Sequence, residues 1–304
     1  MARFGYNECQ HYPSPQGMMG KSARTTMIPL SYLAIHSVRG ADAGSFLHAQ
    51  LAADIASLDN GQASFAAYCS PRGQVIALLL VCRQDPDWFI VNHARLAEAV
   101  ASRLKMFILR ADAQIEARPD LLVAGLCAGA SKPDRESAFS PGGLSLHYAL
   151  RPSASQEKVP SSPWRREEIL RAVSWLQPET SDRFLPQMLG LQAIQAVSFS
   201  KGCYPGQEVI ARTRYLGKLK RGPLLLEIDG QVSLAVGEGC VLDSGDQSIE
   251  AVIVDIVQEN PSTTLLRAVA PLEHRQMLHT LRGGGRSWAV QRTLQEGMEE
   301  QPAR

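Results

Sequence analysis

No apolar run in this 304-residue chain approaches the roughly 18 residues that a membrane-spanning helix needs. The longest, Val75 to Cys82, reads VIALLLVC and is the size of a strand. Charge of one sign is equally scarce. Lysine and arginine number 31 against 30 acids, a net charge of +1, which excludes a globally basic nucleic-acid binder and leaves room only for a local patch. Six cysteines, Cys9, Cys69, Cys82, Cys127, Cys203 and Cys240, include no CxxC and no Cys/His pair at ligand spacing. A zinc module and a self-contained iron–sulfur ligand set are thereby excluded. His36, His48 and His93 share no helix or strand at ligand spacing, so no metal site is expected. Gly283-Gly284-Gly285 lacks the Lys-Ser/Thr of a phosphate loop and reads as a turn. There is no internal repeat. Residues 1–26 lack the apolar core of a signal peptide and read as a frayed tail or as sequence ahead of the true start. A soluble, cytoplasmic protein is expected, with Cys69, Cys82 and Cys127 as buried hydrophobes of a reducing compartment.

What is present is a folding chain, 45% hydrophobic and 20% charged, long enough for two or three small domains. The spacing predicts a strand over 30–38 and a helix over 42–55 capped by Asp42, with Phe46, Leu47, Leu51 and Ile55 on its face. Segments 64–69 and 74–82 flank Ser70-Pro71-Arg72-Gly73 and read as a hairpin, with proline where a turn wants its fixed φ. A third strand is expected at 87–92. A helix should run over 94–109, with Leu96, Val100, Leu104, Phe107 and Ile108 on one face. Strands at 121–127 and 144–150 and helices at 164–176 and 186–194 follow. From Pro223 onward short strands alternate with Gly, Asp and Asn turns, which predicts a small β-barrel. The class is therefore α+β followed by all-β. Its divisions are a tail at 1–26, an α+β region of two intertwined lobes at 27–222, and the barrel at 223–304.

One segment does not read as ordinary loop. In Ser200-Lys201-Gly202-Cys203-Tyr204-Pro205-Gly206-Gln207-Glu208, two glycines bracket a cysteine, permitting tight turns and close approach. Between Ser200 and Gly222 six Lys/Arg face one acid, a local net charge of +5 in a chain of +1. A thiol in that field is biased toward thiolate, the nucleophilic and metal-ligating form. Gln207 and Glu208 add an amide and a carboxylate. Two competing readings use the same residues. Cys203 can be a loop filler beside a solvated strand edge, or the basic run can bind nucleic acid with Tyr204 and Tyr215 as its only interleaved aromatics.

The stretch from Phe184-Leu-Pro-Gln187 through Ser198-Phe-Ser-Lys-Gly-Cys203-Tyr-Pro-Gly-Gln-Glu208-Val-Ile-Ala-Arg212 to Lys220-Arg221 resembles the signature of the YgfZ-type folate-binding proteins, relatives of the glycine-cleavage T protein. Arg39-Gly-Ala-Asp-Ala, Phe46-Leu-His-Ala-Gln50 and the Ser70–Gly73 turn are similar to the family's first helix and hairpin. The resemblance spans about residues 28–300 and is strongest over 184–222. It implies a multi-lobed T-protein-like fold around a central hole that accepts tetrahydrofolate or a one-carbon derivative, closed by a C-terminal β-barrel. It further implies a role in assembling or repairing iron–sulfur proteins, with client enzymes such as the tRNA methylthiotransferase as partners. Contact with tRNA would be indirect, and the protein a monomer.

The family's functional cysteine falls on Cys203, with Lys201 beside it in the active loop. Its folate-facing indole falls on Trp164. Gln187, Tyr204, Gln207, Glu208 and Arg212 complete the implied folate site. Three departures stand out. Leu33, with Tyr32 beside it, occupies an aromatic position of the family; Ala172-Val173 replaces an Ala-Gly step; and Val91–Glu98 holds no aspartate where the transferases carry their catalytic one. Glu98 is a stand-in only on a charged helix face. An accessory role is therefore expected ahead of a folate-dependent aminomethyltransferase or a direct tRNA-binding module.

Overall fold

The computed structural model describes residues 27–126, 138–141, 146–153, 161–245, 247–273, 275 and 278–294. The expected tail, Cys9 and Cys127 lie outside them. Two antiparallel sheets interleave along the chain. The first strand, β1 (Met27–Pro29), pairs with β7 (Leu121–Leu126), which continues to β9 (His147–Pro152) and β8 (Ala138–Phe139). The second sheet is built from the sequence between them. Its order is β3-β4-β5-β2-β6, formed by β2 (Leu33–Arg39), β3 (Ala63–Cys69), β4 (Val75–Gln84), β5 (Asp87–His93) and β6 (Gln114–Ala117). The run Val75–Val81 is buried on both faces except at Ile76, as suits β4, an interior strand between β3 and β5. The third unit is a closed barrel, β10-β13-β12-β11-β14-β15, using Arg221–Asp229, Thr263–Pro271, Ser248–Asn260, Gly239–Asp243, Thr280–Gly283 and Arg286–Leu294 in that order. The expected α+β class with a C-terminal barrel is thus the observed one, with the barrel beginning at Arg221.

Four helices differ from their expected lengths for identifiable reasons. The first, α1 (Ala43–Gln50), stops short because Leu51 is extended and bridges to Tyr68. Asp42 precedes it without a side-chain cap; its carboxylate accepts from the Asp112 backbone N–H instead, at 2.8 Å. The second, α2 (Ala94–Lys105), is capped by His93, whose Nδ1 accepts from the Arg95 N–H. It ends before Phe107, which lies 43% exposed, while Ile108 still packs against the core from beyond the helix end. The third, α3 (Ser162–Leu170), breaks where Ala172 takes φ +63°, and Trp175 and Leu176 pack as non-helical chain. The expected helix at 186–194 is one 3-10 turn, Pro186–Leu189, closed by Gly190 at φ +66°. Of the basic run, for which a solvated strand edge is one of the competing readings, Arg212 and Arg214 lie on a further helix, α4 (Gln207–Tyr215), Lys218 and Lys220 follow it, and Arg221 opens β10.

A single carboxylate ties the lobes together. Glu168 of α3 is completely buried and accepts from five donors. Oε1 takes Tyr148 Oη at 2.9 Å, Trp164 Nε1 at 3.1 Å and Trp175 Nε1 at 3.0 Å. Oε2 takes Tyr32 Oη at 2.8 Å and Arg165 Nη1 at 2.6 Å. The rings around it interlock edge to face, Tyr148 against Trp164 at 5.3 Å and Phe65 against Trp175 at 5.8 Å. Arg165 then reaches the barrel, its Nη2 2.5 Å from Asp255 Oδ1 on β12. Burial works against the Arg165 charge, but Asp255 and Glu168 outweigh it and hold the guanidinium well above its ordinary value. A second tie runs the other way. Arg267 of β13, 1% exposed, donates to the Ala172 carbonyl at 2.9 Å, Ser174 Oγ at 3.0 Å and the Leu189 carbonyl at 2.8 Å.

Replacing Glu168 with glutamine keeps its volume but removes the charge that balances Arg165 and turns one acceptor into a donor facing donors. Glu168→Gln is expected to lose about 3–5 kcal/mol in urea denaturation. Trp164→Phe, which removes one donor from the same carboxylate, should lose about 1–3 kcal/mol. Equal stability of Glu168→Gln and wild type would contradict this account.

Candidate functional site: a braced cysteine loop

Residues 198–207 close on themselves before α4 begins. Ser198 Oγ accepts from the Lys201 backbone N–H at 3.2 Å, Tyr204 Oη donates to the Ser198 carbonyl at 3.4 Å, and Gln207 Nε2 donates to the Lys201 carbonyl at 3.4 Å. The loop then docks on the β3–β4 hairpin turn. Gly206 has φ +81°, and a Cβ there would lie 2.5 Å from the Ser70 carbonyl oxygen and 2.6 Å from Gly73 Cα. Gly73, at φ +78°, meets Val209 and the Gly206 carbonyl in return. Two backbones therefore touch where neither tolerates a side chain. The close approach expected at Gly202 is not there. A Cβ on Gly202 meets nothing within 4 Å and its φ is not left-handed, so the steric constraint sits at Gly206 alone.

Lys201 braces the other side. Its side chain is buried and its ammonium donates to the carbonyls of His48, Leu51 (2.7 Å) and Ala53 (3.2 Å), filling the acceptors left open where α1 ends. It also lies 5.3 Å from the Tyr204 ring centre. Burial pushes the ammonium down to about 8, opposed by Asp54. His48 is lowered as well, by burial and then by Lys201. Tyr204 is buried, with its phenol pushed up to about 12 by that burial. Behind the loop, Gln187 Nε2 donates to the Ile210 carbonyl at 2.8 Å, holding α4 to the 3-10 turn, while its buried Oε1 finds no donor.

The brace leaves Cys203 exposed, whereas Cys69, Cys82 and Cys240 are buried. Burial raises all three buried thiols, Cys240 to about 12 and the other two further. Glu208 and Arg212 are exposed on α4. An open groove of about 750 Å³ adjoins the root of the loop, lined by Ser57, Gln62, Ser64, Gln195, Ser198 and Ser200 among others.

Lys201, Cys203, Tyr204, Gln207, Glu208, Arg212 and Gln187 thus fall into one loop–helix unit. Trp164 does not. Its indole is 2% exposed, packed across Gly125, where a Cβ would lie 2.3 Å from the ring, and hydrogen-bonded to Glu168. Leu33 is buried, while the half-buried Tyr32 beside it carries the guanidinium of Arg165 at 4.9 Å from its ring centre. Sequence reasoning missed Glu168, Arg165, Asp255 and Arg267. A signal existed for two of them, since Asp255 and Arg267 are lone charges inside apolar strand runs. Asp255 is 2% exposed; its Oδ1 accepts from Arg165 and the Ile256 N–H, and Oδ2 has no partner. His93 is lowered by burial, then by Arg165 and Arg95, with Asp255 opposing. Among the described residues no three His, Cys, Asp or Glu side chains gather to hold a metal, and no helix is long and apolar enough to cross a membrane.

Two lobes of interleaved sheet closed by a barrel are the architecture of the glycine-cleavage T proteins. The aminomethyltransferase T of the glycine cleavage system from Bartonella henselae superposes with a TM-score of 0.59, covering 87% of this chain and 83% of its own at 15% identity. The fold is shared. In sequence the chain is similar to the tRNA-modifying protein YgfZ of Klebsiella pneumoniae, 26% identical over 273 residues that make up 77% of this chain and 82% of that one. It is 28% identical over 204 residues to the tRNA-modifying protein YgfZ of Vibrio atlanticus, a match taking in 60% of this chain and 63% of the relative's length. The resemblance read from the cysteine loop is thus borne out by curated homologues. No family model matches the chain.

Because the two glycines differ in what surrounds them, their variants should separate. Gly206→Ala is expected to lose about 2 kcal/mol or more in thermal melts, through left-handed strain and the clash with Ser70 and Gly73. Gly202→Ala should stay within about 0.5 kcal/mol of wild type. In competitive alkylation at neutral pH with peptide mapping, Cys203 should label ahead of Cys69, Cys82 and Cys240; equal labelling in the native protein would refute the exposed-thiol geometry.

Proposed function

We propose that this chain is a cytoplasmic, monomeric, tetrahydrofolate-binding accessory factor for iron–sulfur proteins, supporting tRNA modification through client enzymes such as a tRNA methylthiotransferase. The observation that carries the reading is the cysteine loop. A thiol kept at the surface by a glycine–glycine backbone contact on one side and a three-carbonyl lysine brace on the other is built for presentation. A filler cysteine needs neither device.

The folate part rests on acceptors that the fold leaves without donors. A pterin ring carries N–H donors along one edge, and Asp255 Oδ2 and Gln187 Oε1 are buried acceptors with none. Asp255, with the half-buried ring of Tyr32 beside Arg165, would hold the ring system, and Gln187 would hold a second polar edge. Trp164 would act from behind, by fixing Glu168 and through it Arg165 and Tyr32. When bound, tetrahydrofolate supplies a reduced pterin able to carry a one-carbon unit. What the chain itself does is orient that ring, pair Asp255 with Arg165, and hold Cys203 in solvent.

Aminomethyl transfer has weaker support. It needs a carboxylate to manage the proton on folate nitrogen. Asn92 is buried in the segment where the T proteins place theirs, and Glu98 is exposed, accepting from Ser102 on the outer side of α2.

Complementation of a strain lacking its YgfZ relative, scored by methylthiolated tRNA, tests the reading. Wild type should restore the modification. Cys203→Ser should melt within about 0.5 kcal/mol of wild type and fail to restore it. Titration with tetrahydrofolate should quench tryptophan fluorescence, and Asp255→Asn should weaken that binding about tenfold. A fully active Cys203→Ser protein would retire the functional thiol; no folate binding at millimolar ligand would retire the cofactor.

A further inference from the structure

The basic run after the cysteine divides into two groups in the fold. Lys201 is consumed by the carbonyls at the end of α1, and Arg221 donates to the Glu250 and Val269 carbonyls of the barrel. Arg212, Arg214, Lys218 and Lys220 are exposed, and among the described residues no carboxylate pairs with any of them. The exposed Arg39, Arg72, Arg95, Arg282 and Arg292 each hold an Asp or Glu within ion-pair distance, whereas Lys105, Arg110 and Arg286 stand without one among the described residues but are not gathered in a run of four.

The unpaired cations share their surface with exposed apolar groups. Tyr215 at the end of α4 is 66% exposed and Leu216 is 84% exposed. The Arg214 guanidinium lies 3.9 Å from the Phe199 ring centre and 5.7 Å from that of Tyr215, so three flat groups stand together at the surface. The helix ends there because the N–H groups of Leu216 and Gly217 both close on the Arg212 carbonyl, which carries Lys218 and Lys220 onward past the aromatic cluster. Four exposed cations without carboxylate partners beside a solvent-facing aromatic form a local positive field with a stacking surface next to it. Its complement is a polyanion with flat, stackable groups at regular spacing.

We propose that α4 and the segment after it bind a single strand of nucleic acid, with phosphates on Lys218, Lys220 and the neighbouring arginines and a base stacked on Tyr215. An acidic protein would satisfy the charges but gives no use to an exposed ring beside a guanidinium. The surface adjoins the cysteine loop through α4 and does not depend on folate.

The test is fluorescence anisotropy of fluorescein-labelled 12-nucleotide RNA and DNA of mixed sequence with the full chain. Binding to at least one strand is expected at 50 mM KCl, weakening about tenfold or more by 200 mM as counterion release requires. The double variant Lys218→Glu/Lys220→Glu should weaken it by at least about tenfold. Tyr215→Ala should weaken it about fivefold or more while Tyr215→Phe keeps it, because stacking needs a ring and not a hydroxyl. Lys105→Glu/Arg110→Glu, at the far end of α2, should bind as wild type. Thermal melts verify that each variant is folded.

Absence of binding at 50 mM KCl overturns the proposal, as does an equal loss in the Lys105/Arg110 control. Unchanged binding by Tyr215→Ala also overturns it, marking a general polyanion or acidic-protein surface. None of these variants touches Cys203, Asp255 or Gln187, so failure here and failure of the folate reading are separate results.

Discussion

The assembly depends on one buried carboxylate. Glu168 takes donors from the β1–β2 connection, from β9, from its own helix and from the segment after it, and passes the charge through Arg165 to the barrel. A carboxylate offers about four lone-pair sites, and five donors saturate it. Left with fewer, it would be a burial cost of several kcal/mol; saturated, it is a geometric constraint, because each donor meets it only when its own lobe is in place. The two tryptophans, two tyrosines and the arginine are therefore positioned by the same atom pair, and the apolar packing of Phe65, Tyr148, Trp164 and Trp175 follows from where their polar ends must go.

That constraint explains what was legible in the sequence and what was not. Elements with a strong local period were legible: the 70–73 hairpin, β4, α2 and the run of barrel strands. Elements decided by tertiary contact were not. The expected helix at 164–176 breaks at Ala172 because Trp175 must turn back to Glu168 and because Arg267 takes the Ala172 carbonyl; neither demand has a local signature. Similarly, α1 ends at Gln50 because Leu51 bridges to Tyr68 and Lys201, some 150 residues away, takes the freed carbonyls. The cysteine loop was legible as a motif, while the division of labour within it was not. Lys201, expected beside the thiol for its charge, is a structural brace, and of the two flanking glycines only Gly206 is sterically required.

The loop and the hairpin turn stood out separately in the sequence and meet in the fold. Their contact has a mechanical consequence. A backbone-to-backbone approach at Gly206 and Gly73 leaves little room for adjustment, since no side chain intervenes to change rotamer. Motion of the β3–β4 turn must therefore be passed to the start of α4 and to Cys203. The hairpin turn also carries Arg72, paired with Asp182 ahead of the 3-10 turn that holds Gln187. Cys203, the hairpin and the Gln187 segment are braced as one body, a suitable arrangement for a thiol that must stay at a fixed place relative to a ligand held elsewhere.

Two of the buried acceptors that find no donor among the described residues, Asp255 Oδ2 and Gln187 Oε1, bear on what such a ligand gains. A buried acceptor without a donor costs about 1–3 kcal/mol in the free protein. A ligand that brings the missing donor recovers that cost in addition to its own contacts, which is about a factor of 10 or more in affinity for each acceptor satisfied. Asp255 lies on the barrel and Gln187 on the α+β body, so a ligand reaching either draws on strain already present in that unit. Asp255 is also the far end of the Glu168–Arg165 chain. Asp255, Arg165 and Glu168 thus form one chain of charge-assisted hydrogen bonds from the barrel to the carboxylate on which the lobes converge.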